Sequence, residues 1–178
     1  FNGELPTAVK LEKFTQKVLS KSSLPTSVEQ VIDTMSGSTH PMGVLSSALQ
    51  ALGGSYPDLS TNTRPADIDS FEGAASVIVA AIPVIAAKTL RSSNGKSLPE
   101  AQTNFSYSEN FLHMMFGNAG GEAIDPAVSK ALDLIFLLHA DHEQNCSTST
   151  CRMIASGGAN AFASLSGAVS ALWGPCLL

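Results

Sequence analysis

The sequence predicts an all-α protein, and three observations carry the prediction. Apolar residues recur three and four positions apart in segment after segment. Proline, hydroxyl or carboxylate residues of the kind that open helices stand ahead of most of those segments. No stretch reads convincingly as a strand.

A first helix is expected after Pro6-Thr7, with Val9, Leu11, Phe14, Val18 and Leu19 forming its apolar stripe. A second carries Val28, Val31, Ile32 and Met35, with Thr26 or Ser27 as its cap. A third opens at Pro41, a first-turn position where proline costs no hydrogen bond, runs through Met42, Leu45, Ala48, Leu49 and Leu52, and ends at Gly53-Gly54. Residues 56–67 are rich in Pro, Ser, Thr and Asn and read as a loop. Residues 69–90 form a long apolar helix, expected to bend at Pro83, which cannot donate a backbone bond. Residues 91–104 are a second loop. Ser106 and Glu109 form a capping-box pattern ahead of Phe111, Leu112, Met115 and Phe116. Asp125-Pro126 opens a helix through Leu132, Ile135 and Phe136 toward His139. A last helix is expected over residues 153–173, where Ala155, Ala159, Ala163, Gly167 and Ala171 recur every four residues. Such a row lets another helix approach closely, either inside one subunit or between two. There is no repeat, low-complexity tract or domain linker.

At 178 residues the chain is long enough for one domain with a real core. Only 14% of the residues are charged, well below the usual quarter, which implies that much of the surface is buried against further sequence or a partner subunit. A net charge of −5 gives no footprint for nucleic acid. Lys10, Lys13, Lys17 and Lys21 share a helical face and read as a solvated one. Cys146, Cys151 and Cys176 are an odd number without a framework, as in a reduced intracellular compartment. No signal peptide is visible, although Phe1 reads as internal. The most apolar run, residues 74–87, falls short of the ~20 residues a membrane span needs. Residues 153–178 carry no charge but are filled with Ser, Asn and Gly, so they read as helix buried in protein, and no membrane is expected.

The residues that could carry chemistry cluster late in the chain. His139 and His142 are three apart, beside Asp141 and Glu143, with Cys146 and Cys151 following. Those side chains are all metal-ligand types, though the spacing matches no standard zinc pattern. A histidine at a helix end, followed by Asn145, Ser147, Thr148, Ser149 and Thr150, equally suits a carboxylate or a carbonyl oxygen. Both histidines could also simply satisfy buried backbone groups. Composition alone does not choose among the three.

The order of residues adds information. His139-Ala140-Asp141-His142-Glu143-Gln144-Asn145-Cys146-Ser147-Thr148 closely resembles the segment His-Ala-Asp-His-Glu-x-Asn-x-Ser-Thr of citrate synthases. Asn2-Gly3-Glu4-Leu5-Pro6, Thr39-His40-Pro41-Met42, Ser106-Tyr107-Ser108-Glu109-Asn110-Phe111-Leu112 and Ala171-Leu172-Trp173-Gly174-Pro175 resemble further stretches of the same family, in the same order. The resemblance implies a multi-helical citrate-synthase-type large domain, incomplete, with residues 1–178 forming part of it and the small domain absent. It implies a homodimer, acetyl-CoA and oxaloacetate as substrates, and no cofactor. In the family an aspartate removes a proton from the acetyl methyl group, a histidine donates to the thioester oxygen, and a second histidine polarises the oxaloacetate carbonyl. By position that second histidine is His142, with Asn145 and Ser147 as neighbours shaping the oxaloacetate pocket. His139 is expected to be structural, His40 to cap or pack, and His113 to belong to core or surface. The family continues from Gly-Pro into x-His-Gly-Gly-Ala-Asn, whereas Gly174-Pro175 is followed here by Cys176-Leu177-Leu178. No catalytic residue is therefore expected within the chain, and the chain alone is expected not to make citrate and to be sticky. The alternatives are a 2-methylcitrate synthase segment, a non-catalytic subunit that dimerises with a complete enzyme, and a helical metal protein using His139, His142 and the cysteines. Details at residues 39–45 and 107–110 resemble the peroxisomal and bacterial-type branch, so a peroxisomal or cytoplasmic site is preferred over the mitochondrial matrix.

Overall fold

The computed structural model describes residues 3–61, 63–117, 124–141 and 143–174. Among these the regular structure is helical, as predicted. The elements are α1 (Ala8–Leu19), α2 (Thr26–Met35), α3 (Pro41–Gly54), a 3-10 turn (Pro57–Leu59), α4 (Arg64–Ser93), α5 (Tyr107–Phe116), α6 (Pro126–Leu138), α7 (Cys146–Ser156) and α8 (Ala161–Ala171).

Local capping explains most of the helix starts. Thr7 accepts from the Lys10 amide, and Asp125 accepts from the Ala127 amide with Pro126 at the first helical position. The Ser106–Glu109 capping box is complete in both directions. The second helix departs from expectation: neither Thr26 nor Ser27 caps it, because Pro25 holds the N-cap position and both hydroxyl residues lie inside the helix. Ser27 Oγ instead meets Ser55 Oγ at 2.9 Å.

α4 is the organising element. Its 30 residues run about 45 Å at the usual rise, and α1, α2, α3, α5 and α8 all pack on it. It starts at Arg64, inside the segment expected to be loop, and runs without a break through Pro83. Proline at this position leaves the Val79 carbonyl without its helical donor. The Tyr107 hydroxyl supplies one from α5, at 2.9 Å. Burial pushes the Tyr107 phenol up to about 12, so it remains a donor through the neutral range. By length and composition Pro65–Ser93 could cross a membrane, contrary to the short run read from the sequence. In the fold its apolar residues Ala74, Val77, Ile78, Ala81 and Ile85 join the main core.

α3 and α8 close that core from the other side. Val44, Ala48, Leu49 and Leu52 of α3 meet Phe162 of α8, together with Val28 and Ile32 of α2. Ser46 of α3 bonds the Ser166 carbonyl at 2.9 Å and the Ser170 hydroxyl at 2.7 Å, which brings the two helix backbones close.

The single last helix expected over 153–173 is two helices. α7 ends at Ser156, Gly158 takes a left-handed φ of +88°, and Asn160 restarts the chain by accepting from the Ala163 amide. The row of small residues therefore does not lie on one helix. Gly167 still does what such a residue does: its bare backbone faces the Ile154 side chain of α7, where a methyl group would collide. α8 packs between α3 and α7 within the subunit.

α6 and α7 stand apart from the core. Ser129 is the only buried residue of α6 among those described, and α7 has none. Leu134, Ile135, Phe136, Leu137, Leu138 and Met153 are all exposed. A helix that is apolar nearly all round and bare is built to be covered.

Candidate functional site

The loop of residues 139–145 joins α6 to α7, and both ends are pinned. His139 is the C-cap of α6, and its Nδ1–H donates to the Ile135 carbonyl at 2.9 Å. That bond closes the end of α6. Asn145 is the N-cap of α7, where its Oδ1 accepts from the Thr148 amide at 2.9 Å and from the Ser147 hydroxyl at 2.7 Å. These two predicted site residues are thus brought together, each holding the other. The Asn145 side-chain amide is left as a donor at the positive end of α7, where carboxylates are favoured.

Between the pins the backbone is strained. Glu143 has φ +59°, the single non-glycine residue with positive φ among those described. A left-handed conformation costs an ordinary side chain about 1–2 kcal/mol. The turn is held by the Glu143 amide, which donates to Asp141 Oδ1 at 3.2 Å. Residues kept in such conformations by their surroundings concentrate at functional sites. His142 sits between Asp141 and Glu143 in the chain, and its own placement lies outside the described residues.

The other histidines are accounted for. His40 is the N-cap of α3: its Nδ1 accepts from the Met42 amide at 3.2 Å and its ring stacks on Trp173, 5.2 Å between centroids. It both caps and packs, as expected. His113 is a core residue, edge-on to Phe105 at 5.5 Å. Arg91, placed in a loop by the sequence reading, is buried at the end of α4; its guanidinium donates to the Met114 and Gly117 carbonyls and so closes α5. No sequence signal marked that arginine.

Among the described residues no three His, Cys, Asp or Glu side chains come together as a metal site would require. Cys151 lines an apolar cavity of about 570 Å³ with Leu59, Phe71, Ala155 and Leu165, and burial pushes its thiol up, away from the reactive thiolate. Cys176 and the Cys176-Leu177-Leu178 end lie outside the described residues. Of the lysines read as a solvated face, Lys10 pairs with Glu4 at 3.4 Å and Lys17 with Glu72 at 3.1 Å, whereas Lys21 lies beyond the end of α1, half-buried, with its ammonium 5.7 Å from the centre of the Tyr56 ring.

Two comparisons with known proteins bear on this arrangement. The family model described as citrate synthase, C-terminal domain, matches residues 1–176. The fold is similar to the crystal structure of a citrate synthase from Pyrobaculum aerophilum, with a TM-score of 0.86 and 29% sequence identity. That match covers 99% of this chain and 44% of the other, so the chain spans less than half the length of that enzyme.

Proposed function

The chain belongs to the citrate synthase family, a family of acyltransferases, and on that premise we propose that it forms part of the large helical domain of an enzyme condensing acetyl-CoA with oxaloacetate to citrate and coenzyme A. Within that enzyme this segment supplies an oxaloacetate contact. His142 polarises the substrate carbonyl, the Asn145 amide and the α7 N-terminus face a carboxylate, and Ser147 holds Asn145 in place. The single observation that supports this best is the left-handed Glu143, whose amide donates to Asp141, in a loop pinned by the caps at His139 and Asn145.

The acetyl methyl group is a very weak acid, so its deprotonation needs a positioned base and a stabilised enolate. The groups the family uses for that lie in sequence beyond the match to this chain. We propose that residues 1–178 alone release no coenzyme A. The Glu143-Gln144-Asn145-Cys146-Ser147-Thr148-Ser149-Thr150 run favours citrate over 2-methylcitrate chemistry, and residues 39–45 and 107–110 favour the bacterial and peroxisomal-type branch. A homodimer accounts for the bare apolar surface of α6 and α7.

The test is coenzyme A release by the protein at its native length, with oxaloacetate and either acetyl-CoA or propionyl-CoA. Faster release from acetyl-CoA, dependent on oxaloacetate, is expected. A preference for propionyl-CoA would assign 2-methylcitrate synthesis instead, and release without oxaloacetate would remove the proposed role of the 139–145 loop.

A further inference from the structure

A second cavity opens between α1, α4, α5 and α6, and no residue of the 139–145 loop lines it. Its volume of about 560 Å³ falls within the range of small-molecule sites. Five aromatic rings line it, those of Phe14, Phe105, Tyr107, Phe111 and Phe136. Phe136 packs against two of the others, its centroid 6.0 Å from that of Tyr107 and 6.2 Å from that of Phe111. The Tyr107 hydroxyl is taken up by the Val79 carbonyl, so that residue contributes its ring and not its polar end.

Asp133 is the one charged side chain lining the cavity among the described residues. It stands one turn before Phe136 on the same face of α6. Its Oδ1 accepts from the hydroxyl of Ser108, a fully buried residue of α5, which fixes the carboxylate at the cavity wall. Among the described residues no lysine, arginine or histidine pairs with it, not even Lys130 one turn earlier on α6. Leu134 and Leu138 lie on the opposite face of α6, so the bare outward surface of that helix and this cavity are separate features.

The geometry points to a binding site for an organic ammonium compound, a small molecule with an apolar aryl or alkyl body and one positively charged nitrogen. Removal of the body from water into the apolar cavity drives binding. The nitrogen meets the second oxygen of Asp133, for which the protein supplies no counter-ion, and the rings around it attract a cation through their quadrupoles. A neutral molecule of the same shape forgoes both attractions. An anion of the same shape meets an unpaired carboxylate and no compensating cation. The site does not rest on the proposed function above, and it is measured without oxaloacetate or an acyl-CoA.

Calorimetric titration of the 178-residue chain at neutral pH with phenylpropylammonium, phenylpropanol and phenylpropionate compares three charges on one skeleton. Phenylpropylammonium is expected to bind about tenfold more tightly than phenylpropanol, the carboxylate supplying up to about fivefold and the rings the rest. Phenylpropionate is expected to bind most weakly. Asp133→Asn keeps an acceptor for Ser108 and should cut the advantage of the ammonium to about two- to threefold while leaving phenylpropanol unchanged. Thr15 is an exposed residue of α1 at the cavity wall, and Thr15→Phe should block the cavity and abolish binding. The ranking of the three probes on wild type needs no variant to fold. Equal affinity for all three, no binding of the ammonium, an Asp133→Asn profile like wild type, or undiminished binding by Thr15→Phe would each overturn the site.

Discussion

Replacing Gly53 or Gly54 by alanine separates packing from helix propensity at two adjacent positions. Both lie at the end of α3, and neither has a positive φ. At Gly54 a new Cβ meets nothing within 4 Å. Gly54→Ala therefore gains helix propensity alone, about 0.5–1 kcal/mol of stability. At Gly53 the same methyl lies 2.9 Å from Phe162 Cβ, 3.1 Å from Phe162 Cγ and 3.2 Å from Ser60 Oγ. Two of those atoms are the root of a side chain that is 1% exposed, so a rotamer change cannot relieve the contact and α8 itself must shift. Overpacking of that kind costs about 1–3 kcal/mol, against which the propensity gain is at most about 1. The expected net for Gly53→Ala is a loss of up to about 2 kcal/mol. Urea unfolding followed by circular dichroism, with an unchanged denaturant slope, reads both variants. Gly53→Ala matching or exceeding Gly54→Ala in stability would refute the α3–α8 approach described here.

Three further outcomes are expected. Tyr107→Phe leaves the Val79 carbonyl above Pro83 without its donor and lowers stability by about 1 kcal/mol at neutral pH, read by the same unfolding assay. Because the folded phenol is held at about 12, above its ordinary value of about 10, the Tyr107 contribution is complete below pH 10 and is lost as pH rises through 12. Alkaline titration of stability should show that loss in wild type and not in Tyr107→Phe. Glu143→Gly relieves the left-handed residue and raises the thermal midpoint, by up to about 1 kcal/mol in stability; a fall would show that the turn is not strained. The 178-residue chain should elute from size exclusion as a dimer or larger species, since α6 exposes Leu134 through Leu138, and a clean monomer would contradict the reading of that face.

Features decided within a few residues were legible in the sequence. The caps at Thr7 and Asp125 and the Ser106–Glu109 box act over two or three positions, so residue type and spacing suffice. Features decided across the fold were not. Pro83 marks a lost backbone donor when read alone, but nothing local tells that Tyr107 of another helix donates to the Val79 carbonyl it leaves open. The period-four row from Ala155 to Ala171 continues across the α7–α8 break, which hid the stronger local signal of Gly157-Gly158 followed by a capping Asn160. At the candidate site, His139 and Asn145 were placed by motif order, and the structure adds how each is bonded. The strain at Glu143 had no sequence signal, because nothing about a glutamate announces a positive φ.

The central claim is that the 139–145 loop presents His142 to oxaloacetate, and the most direct test is coenzyme A release at native length by wild type and His142→Gln. Loss of one polarising group should lower turnover by about 10²–10³-fold, while circular dichroism shows the fold intact. Turnover by His142→Gln equal to wild type would contradict the account.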